Sequence, residues 1–394
     1  MRRDVFIIGC RGLPANYGGY ETFVEHLTSE RKNKNILYHV ACRTDDKSRN
    51  NKRFEYNNSD CFDIYVPNIG SVQAIYYDVQ AIIKSIKYIR SNNISDPIFY
   101  ILGCSIGPLI LYAKKLIKSV GGSIYINPDG HEWMRTKWNY FIRKYLKYSE
   151  KIMVKNSDMV VCDSSSIKKY ILRSYNKISS KTIFIAYGAS YTRSRLENNN
   201  LEVTNWFKKF NVTNGEYYLI VGRFVPENNF ETMLREFIKS KTDKDLVIVT
   251  NVEGNKFYNG LKKRTTFSND DRIKFVGTVY NSELLKKIRE NAFAYIHGHS
   301  VGGTNPSLLQ ALASTKINLL YDVGFNREVA EKGGLYWSLE EGNLSYLIDK
   351  VDSFTADEIE KFDAMSTKRI INYYKWSDII EDYEQIFRNE NKET

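Results

Sequence analysis

Short runs of β-branched and aromatic residues alternate with longer stretches of helical periodicity along almost the whole chain. Residues 5–8, 37–41, 62–66, 98–102, 123–126, 159–162 and 182–185 read as strands, with helices at 21–31, 79–89, 106–117, 138–154 and 164–175. A second series has strands at 217–221, 246–250, 273–276, 292–296 and 317–320 and helices at 229–240, 282–290 and 306–313. The segment 355–388 reads as helical, with Trp376, Ile379, Ile380, Tyr383 and Ile386 spaced as one face. A helix between successive strands carries the chain back to the same end of the sheet, so the strands run parallel under helices on both faces. The expected class is therefore α/β, with sites built on loops at the carboxyl ends of the strands.

At 394 residues the chain exceeds what one ordinary core serves. The expected division is 1–188, 189–372 and a final helix over 373–394. It falls where Gly188 gives way to a polar stretch ending in Glu197-Asn198-Asn199-Asn200. No apolar run is long enough to span a bilayer, and the run at 5–8 is too short for a secretory signal, so a cytoplasmic protein is expected. The five cysteines include no C-x-x-C pair and read as buried reduced thiols.

Charge is unevenly placed. Residues 1–188 hold 29 Lys/Arg against 16 Asp/Glu, whereas the rest of the chain holds 28 against 30. A one-sided basic surface calls for a polyanionic partner. Between Arg135 and Lys155 seven basic residues and one acidic residue interleave with Trp138, Tyr140, Phe141, Tyr145 and Tyr148. That stripe suits anionic headgroups and a lipid pyrophosphate, or else is a basic helix with a buried aromatic face. No nucleic-acid motif accompanies the charge, so nucleic acid is not expected as a partner.

Four strand exits carry the candidate chemistry. The first runs from Gly9 and Arg11 through Asn16, Tyr17, Gly18 and Gly19 to Glu21. It lacks the G-x-G-x-x-G spacing and the following acidic residue of a nicotinamide site. Its paired glycines at a helix start let backbone N–H groups approach a phosphate. The second is Asn127-Pro128-Asp129-Gly130-His131-Glu132. The third, Gly222-Arg223-Phe224-Val225-Pro226-Glu227-Asn228-Asn229, offers a guanidinium that can fork onto phosphate oxygens. The fourth, His297-Gly298-His299-Ser300-Val301-Gly302-Gly303-Thr304-Asn305-Pro306, forms an anion nest at a helix start. His297 and His299 lack a third ligand at suitable spacing, so no metal is expected. Asp243 and Asp245 precede a strand, so they are not placed to hold a metal diphosphate.

Together these motifs resemble the retaining glycosyltransferases of family 4, and more narrowly the bacterial rhamnosyltransferases of capsule and cell-wall synthesis. The resemblance implies the GT-B architecture: two Rossmann-like domains with parallel sheets facing across a cleft and a final helix returning to the first domain. It implies dTDP-L-rhamnose as donor, a lipid-pyrophosphate-linked sugar as acceptor, no metal, and a place at the inner face of the cell membrane. Arg223 would contact the β-phosphate and the Gly302-Gly303-Thr304 backbone would cradle it. Asn228, His297, Asn305 and Gln310 fall among the donor-binding positions, joined by Gly18 and Gly19 from the acceptor side. His131 would lie close to the donor sugar and, with Asp129 and Arg223, belong to the catalytic set. Arg11, Glu21, Arg135 and Lys137 would serve the acceptor. Three positions depart from the family pattern: Asn228 stands for a Lys, Ser300 for a Glu and Gln310 for a second Glu. A sugar-nucleotide epimerase or hydrolase of the same fold, or a catalytically silent partner, are the competing readings.

Overall fold

The structure, a computed structural model, describes residues 2–15, 18–175 and 180–388. The chain forms two compact units, Met1–Gly188 with Trp376–Thr394, and Ala189–Lys375. The second unit ends at Lys375 rather than at residue 372.

In the first unit the elements are β1 (Arg3–Ile8), α1 (Gly19–Ser29), β2 (Ile36–Thr44), β3 (Arg53–Tyr56), β4 (Ser59–Tyr65), α2 (Gln73–Ser91), β5 (Ile98–Leu102), α3 (Ile110–Lys118), β6 (Ser123–Asn127), α4 (Tyr140–Asn156), β7 (Met159–Cys162), α5 (Ser165–Ser174) and β8 (Lys181–Phe184). The second unit holds α6 (Leu201–Phe210), β9 (Tyr217–Val221), α7 (Phe230–Lys239), β10 (Asp245–Val249), α8 (Lys256–Arg264), β11 (Ile273–Gly277), α9 (Ser282–Glu290), β12 (Ala294–His297), α10 (Pro306–Ser314), β13 (Ile317–Tyr321), α11 (Gly324–Ala330), β14 (Leu335–Trp337), α12 (Asn343–Asp352) and α13 (Ala356–Tyr373). The chain closes with α14 (Trp376–Phe387), which belongs to the first unit.

The strand order is β3-β4-β2-β1-β5-β6-β7-β8 in one sheet and β11-β10-β9-β12-β13-β14 in the other. Every neighbouring pair is parallel except β3 and β4. The alternation of the sequence does not reveal β3, whose half-exposed Arg53, Phe54, Glu55 and Tyr56 form an antiparallel edge on β4. In each sheet the order reverses beside the first strand. β1 has β2 on one side and β5 on the other, and β9 has β10 on one side and β12 on the other. Loops leaving the two strands at such a reversal part to opposite faces and open a crevice at the carboxyl edge.

One face of the first sheet is mostly aliphatic, with Ile8, Ile101, Ile124 and Ile126 packed among residues of α2, α3, α4 and α5. The other face is aromatic. Phe387 of α14 lies against Tyr100 at 5.7 Å, Tyr38 at 6.2 Å and Tyr125 at 6.4 Å between ring centroids, and Tyr383 meets Phe23 at 4.8 Å. The buried Glu384 carboxylate accepts from the backbone N–H groups of Lys32 at 2.7 Å and Asn33 at 3.0 Å, fixing the helix along its axis. The helical segment expected over 355–388 forms two helices: α13 stops at Tyr373 and α14 begins at Trp376. Between them Lys375 bridges Ala189, and Trp376 packs where any side chain at Gly188 would strike it. Both crossings of the chain between units therefore lie side by side.

Truncating Phe387→Ala removes a fully buried ring from the aromatic face. Its expected cost is about 3–5 kcal/mol. Thermal unfolding followed by near-ultraviolet circular dichroism checks it, and an unchanged melting temperature would show that α14 is not part of the first unit's core.

Candidate functional site

In the second unit the loops after β9 and β12 flank the strand-order reversal. Phe224 anchors the first loop by packing on Phe230 at 4.3 Å and Phe257 at 5.4 Å. Its carbonyl accepts from Asn255 Nδ2 at 2.8 Å. Asn228 Nδ2 donates to the Arg223 carbonyl at 2.8 Å, so Asn228 is occupied in holding the backbone of Arg223. The Arg223 side chain itself is exposed and engages no described residue. A guanidinium fixed at its root and free at its tip is poised for an external anion.

The second loop is stapled to the first. Ser300 donates to the Glu227 carbonyl through its N–H at 3.0 Å and its hydroxyl at 2.7 Å, and Asn229 Nδ2 reaches the Gly298 carbonyl at 2.8 Å. A glutamate at position 300 could not donate from its side chain, so the Ser300 departure substitutes a loop-to-loop bond for a charge. Gly298 is obligatory, because an added Cβ would lie 2.3 Å from the Asn228 carbonyl. Asn305 caps α10, accepting from Ser307 N–H at 2.9 Å and Leu308 N–H at 3.3 Å. It is thereby committed to the helix. The amides of Gly302 and Gly303 donate to no described group, while Thr304 beside them is buried. Gln310, one turn into α10, is half-buried and its amide has no described partner.

Beneath these loops lies a histidine layer. His297 and His299 stack with parallel rings at 4.3 Å, and the Tyr295 hydroxyl lies 3.4 Å from His297 Nδ1 and 3.0 Å from Ser307 Oγ. Burial, and secondly His299, push the His297 pKa well below its ordinary value, so the ring is neutral. Its Nε2 is buried without a described partner. Gly222, Asn228, His297, Gly298 and His299 line one small recess at this edge. No three potential metal ligands come together among the described residues.

In the first unit the loops after β1 and β5 flank the corresponding reversal. Asn16 and Tyr17 lie outside the described residues. Gly9 has φ +104°, and an added Cβ would lie 2.1 Å from the Leu102 carbonyl oxygen. Glu21 accepts from the Arg11 N–H at 2.7 Å and Glu25 accepts from the Ala15 N–H at 2.8 Å, so the helix after the loop clamps it with two carboxylates. Glu21 is buried in that clamp, whereas the Arg11 side chain is exposed. Gly18, with φ +124°, and Gly19 lead into α1.

After β6, Asp129 and His131 both take left-handed backbone conformations at φ 60° and 54°. The Asp129 carboxylate accepts from the Gly130 N–H at 2.8 Å and lies 3.7 Å from the Arg135 guanidinium. Glu132 gathers Arg135, Lys137 at 2.7 Å and the Trp138 indole N–H at 2.9 Å, so two of the three basic residues assigned to the acceptor, Arg135 and Lys137, are ion-paired. The His131 ring packs on Tyr170 at 4.2 Å. Burial and then Lys147 lower its pKa. The aromatic face of α4 is not buried over its first half: no residue from Tyr140 to Tyr148 is buried, and Phe141 is 79% exposed. Exposed Leu109, Leu111 and Tyr112 stand at the start of α3, which packs on α4. Lys137 and Lys144 cover the rings of Trp138 and Tyr140.

Three residues near this reversal, Tyr20, Asp78 and Ser105, are given no role by the sequence reading. Tyr20, directly after the paired glycines, holds its hydroxyl buried and without a described partner. Asp78 on α2 is fully buried and bonded to the Ser105 hydroxyl after β5. The signal for Asp78 was present: it is the one acid among Tyr77, Ala81, Ile82, Ile86 and Ile89, the inward positions of α2.

Residues 202–375 match the profile of the Glycosyl transferases group 1 family, and residues 2–190 match a domain of unknown function, DUF1972. An uncharacterized glycosyltransferase of Methanocaldococcus jannaschii is 26% identical over 330 residues, covering 80% of each chain. Among solved structures, sucrose-phosphate synthase from Thermosynechococcus elongatus superposes with TM-score 0.78 at 16% identity, covering 98% of this chain and 99% of that one. The HepE protein of Anabaena in complex with UDP superposes with TM-score 0.70 at 11% identity, covering 98% and 100%. Two Rossmann-like α/β units in this arrangement of elements are the GT-B architecture.

Substituting Asn305→Ala frees two N–H groups at the start of α10, at an expected cost of about 1 kcal/mol. Chemical unfolding measures it; an unchanged stability would return Asn305 to the residues available for a ligand.

Proposed function

We propose that this chain, a glycosyltransferase of GT-B architecture drawing on a nucleotide-sugar donor, transfers L-rhamnose from dTDP-L-rhamnose to a lipid-pyrophosphate-linked sugar with retention of configuration. The observation that carries the donor reading is the unengaged Arg223 guanidinium together with the unengaged amides of Gly302 and Gly303, on two loops stapled to each other. Such a set suits a diphosphate, which needs several fixed donors but no compensating proton. The match to the glycosyl transferases and the UDP carried by the Anabaena protein support a nucleotide diphosphate there. The choice of dTDP-L-rhamnose rests on the resemblance of the four loops to the rhamnosyltransferases.

In this reading the acceptor hydroxyl attacks the anomeric carbon from the side the diphosphate leaves. The new carbon–oxygen bond forms as the bond to phosphate breaks. The electron pair departs with the diphosphate, and the hydroxyl proton passes to one of its oxygens. Arg223 and the loop amides stabilise the charge that grows on the leaving group. Gln310 hydrogen-bonds a ribose hydroxyl without the charge assistance of a glutamate. Arg223→Ala should lower kcat/KM by about 10²–10³ and leave the melting temperature in place. Near-wild-type turnover would remove Arg223 from the mechanism. A wild-type chain that no nucleotide stabilises in a thermal-shift panel would instead be a silent partner.

The acceptor side rests on α4. The first half of this helix holds no buried residue, and it presents Tyr140, Phe141 and Tyr148 among lysines beside Leu109, Leu111 and Tyr112. Aromatic and aliphatic groups that enter the headgroup zone, ringed by cations, fit peripheral attachment to an anionic leaflet. No described helix is long and apolar enough to cross a membrane. Flotation with phosphatidylglycerol vesicles should recover the protein, high salt should release part of it, and Phe141→Ala with Lys144→Ala should abolish recovery. Equal flotation with purely zwitterionic vesicles would overturn the electrostatic part, and no flotation the whole attachment.

A further inference from the structure

The acceptor reading leaves one buried group without a task. Asp78 sits on the inward face of α2 with its carboxyl fully enclosed, and its single described partner is the Ser105 hydroxyl. No described cation reaches it. Its chain neighbour Tyr77 donates its hydroxyl to backbone, and Tyr145 donates its hydroxyl to the Ser105 carbonyl at 2.8 Å. A carboxyl buried against one hydroxyl, with neither a cation nor backbone N–H groups, is costly to keep for stability alone.

Its location gives it a use. Ser105 leaves the carboxyl end of β5, directly beside β1, at the strand-order reversal of the first unit. It is half-exposed where Asp78 is not. An added Cβ at Gly103, two residues earlier, would lie 3.9 Å from the buried, unpartnered Tyr20 hydroxyl. The same loop runs on to the exposed Leu109, Leu111 and Tyr112. Two hydroxyls beside this reversal, with an apolar shelf where the Ser105 loop runs into α3, match an amphipathic molecule with a polyhydroxyl head.

We propose that Ser105, backed by Asp78, is a hydroxyl-binding subsite for the sugar of the acceptor, with the Tyr20 hydroxyl as its second contact. The proposal rests on the reading of the first unit as the acceptor domain. Asp78 sets the polarity of Ser105. An ionised Asp78 takes the Ser105 proton, leaving Ser105 lone pairs to accept from a sugar hydroxyl. A protonated Asp78 donates to Ser105 Oγ and turns the Ser105 proton outward. Burial raises the Asp78 pKa to about 7 against the lowering by Ser105, so both forms are populated near neutrality. Asp78 is a positioning residue here, and Ser105 is the contact.

The test uses the full chain and octyl glycosides as the probe, titrated by ligand-observed NMR at pH 6 and pH 8, with dTDP binding measured in the same samples. Ser105→Ala should weaken glycoside binding about tenfold, the loss of a hydrogen bond to a buried-backed hydroxyl. Asp78→Asn should keep the fold and abolish the difference between the two pH values. Side-chain carboxyl ¹³C NMR of aspartate-labelled protein should show a resonance titrating near neutrality that Asp78→Asn removes. Glycoside binding unaffected by Ser105→Ala would overturn the subsite. So would wild-type protein that binds dTDP but no octyl glycoside, and that outcome leaves the donor reading standing. Loss of dTDP binding in the wild type would overturn the glycosyltransferase reading itself, and with it this subsite.

Discussion

Parallel pairing around a central first strand is the constraint on which this molecule depends. Within each sheet every strand but β3 runs parallel to its neighbours, so the connecting helices must return the chain, and the loops after the strands gather at one edge of that sheet. Where the order reverses, at β1 against β5 and at β9 against β12, neighbouring loops part. Some polar groups with no described partner fall at these reversals, among them the Tyr20 hydroxyl in one unit and Arg223 and His297 Nε2 in the other.

The two crevices solve opposite problems. In the second unit the backbone is fixed by side chains, through Asn228, Asn229, Asn255 and Ser300, so that amides and one guanidinium are left for an anion. In the first unit carboxylates do the fixing. Glu21 and Glu25 clamp the β1 loop and Glu132 gathers the cations of the α4 approach. Seven of the 29 Lys/Arg of residues 1–188 lie on and around α4, between Arg135 and Lys155.

The sequence reading located all four loops, because glycine-rich exits from apolar strands leave a local signature. It misjudged elements whose cause is not local. β3 is polar and exists because β4 offers it an edge. The interruption at Tyr374 and Lys375 exists because the chain must return beside Ala189. The roles of individual polar residues were also illegible: Asn305 and Asn228 look alike as candidate ligand groups, yet each is taken up by a neighbouring backbone. Asp78 was legible as an anomaly in a helical stripe, but its partner Ser105 lies 27 residues on and only the fold brings them together.

The return of α14 has a consequence for how this protein can be made or divided. The eight strands of the first unit are complete once Phe184 has been synthesised, but the helix that covers their aromatic face comes last. Throughout translation of the second unit, a sheet bearing Tyr38, Tyr100 and Tyr125 waits for its cover. Cutting the gene at the apparent border after Gly188 would yield an N-terminal fragment with that face bare and a C-terminal fragment carrying an orphaned helix. A separable first unit has to be expressed with residues 376–387 grafted back onto it.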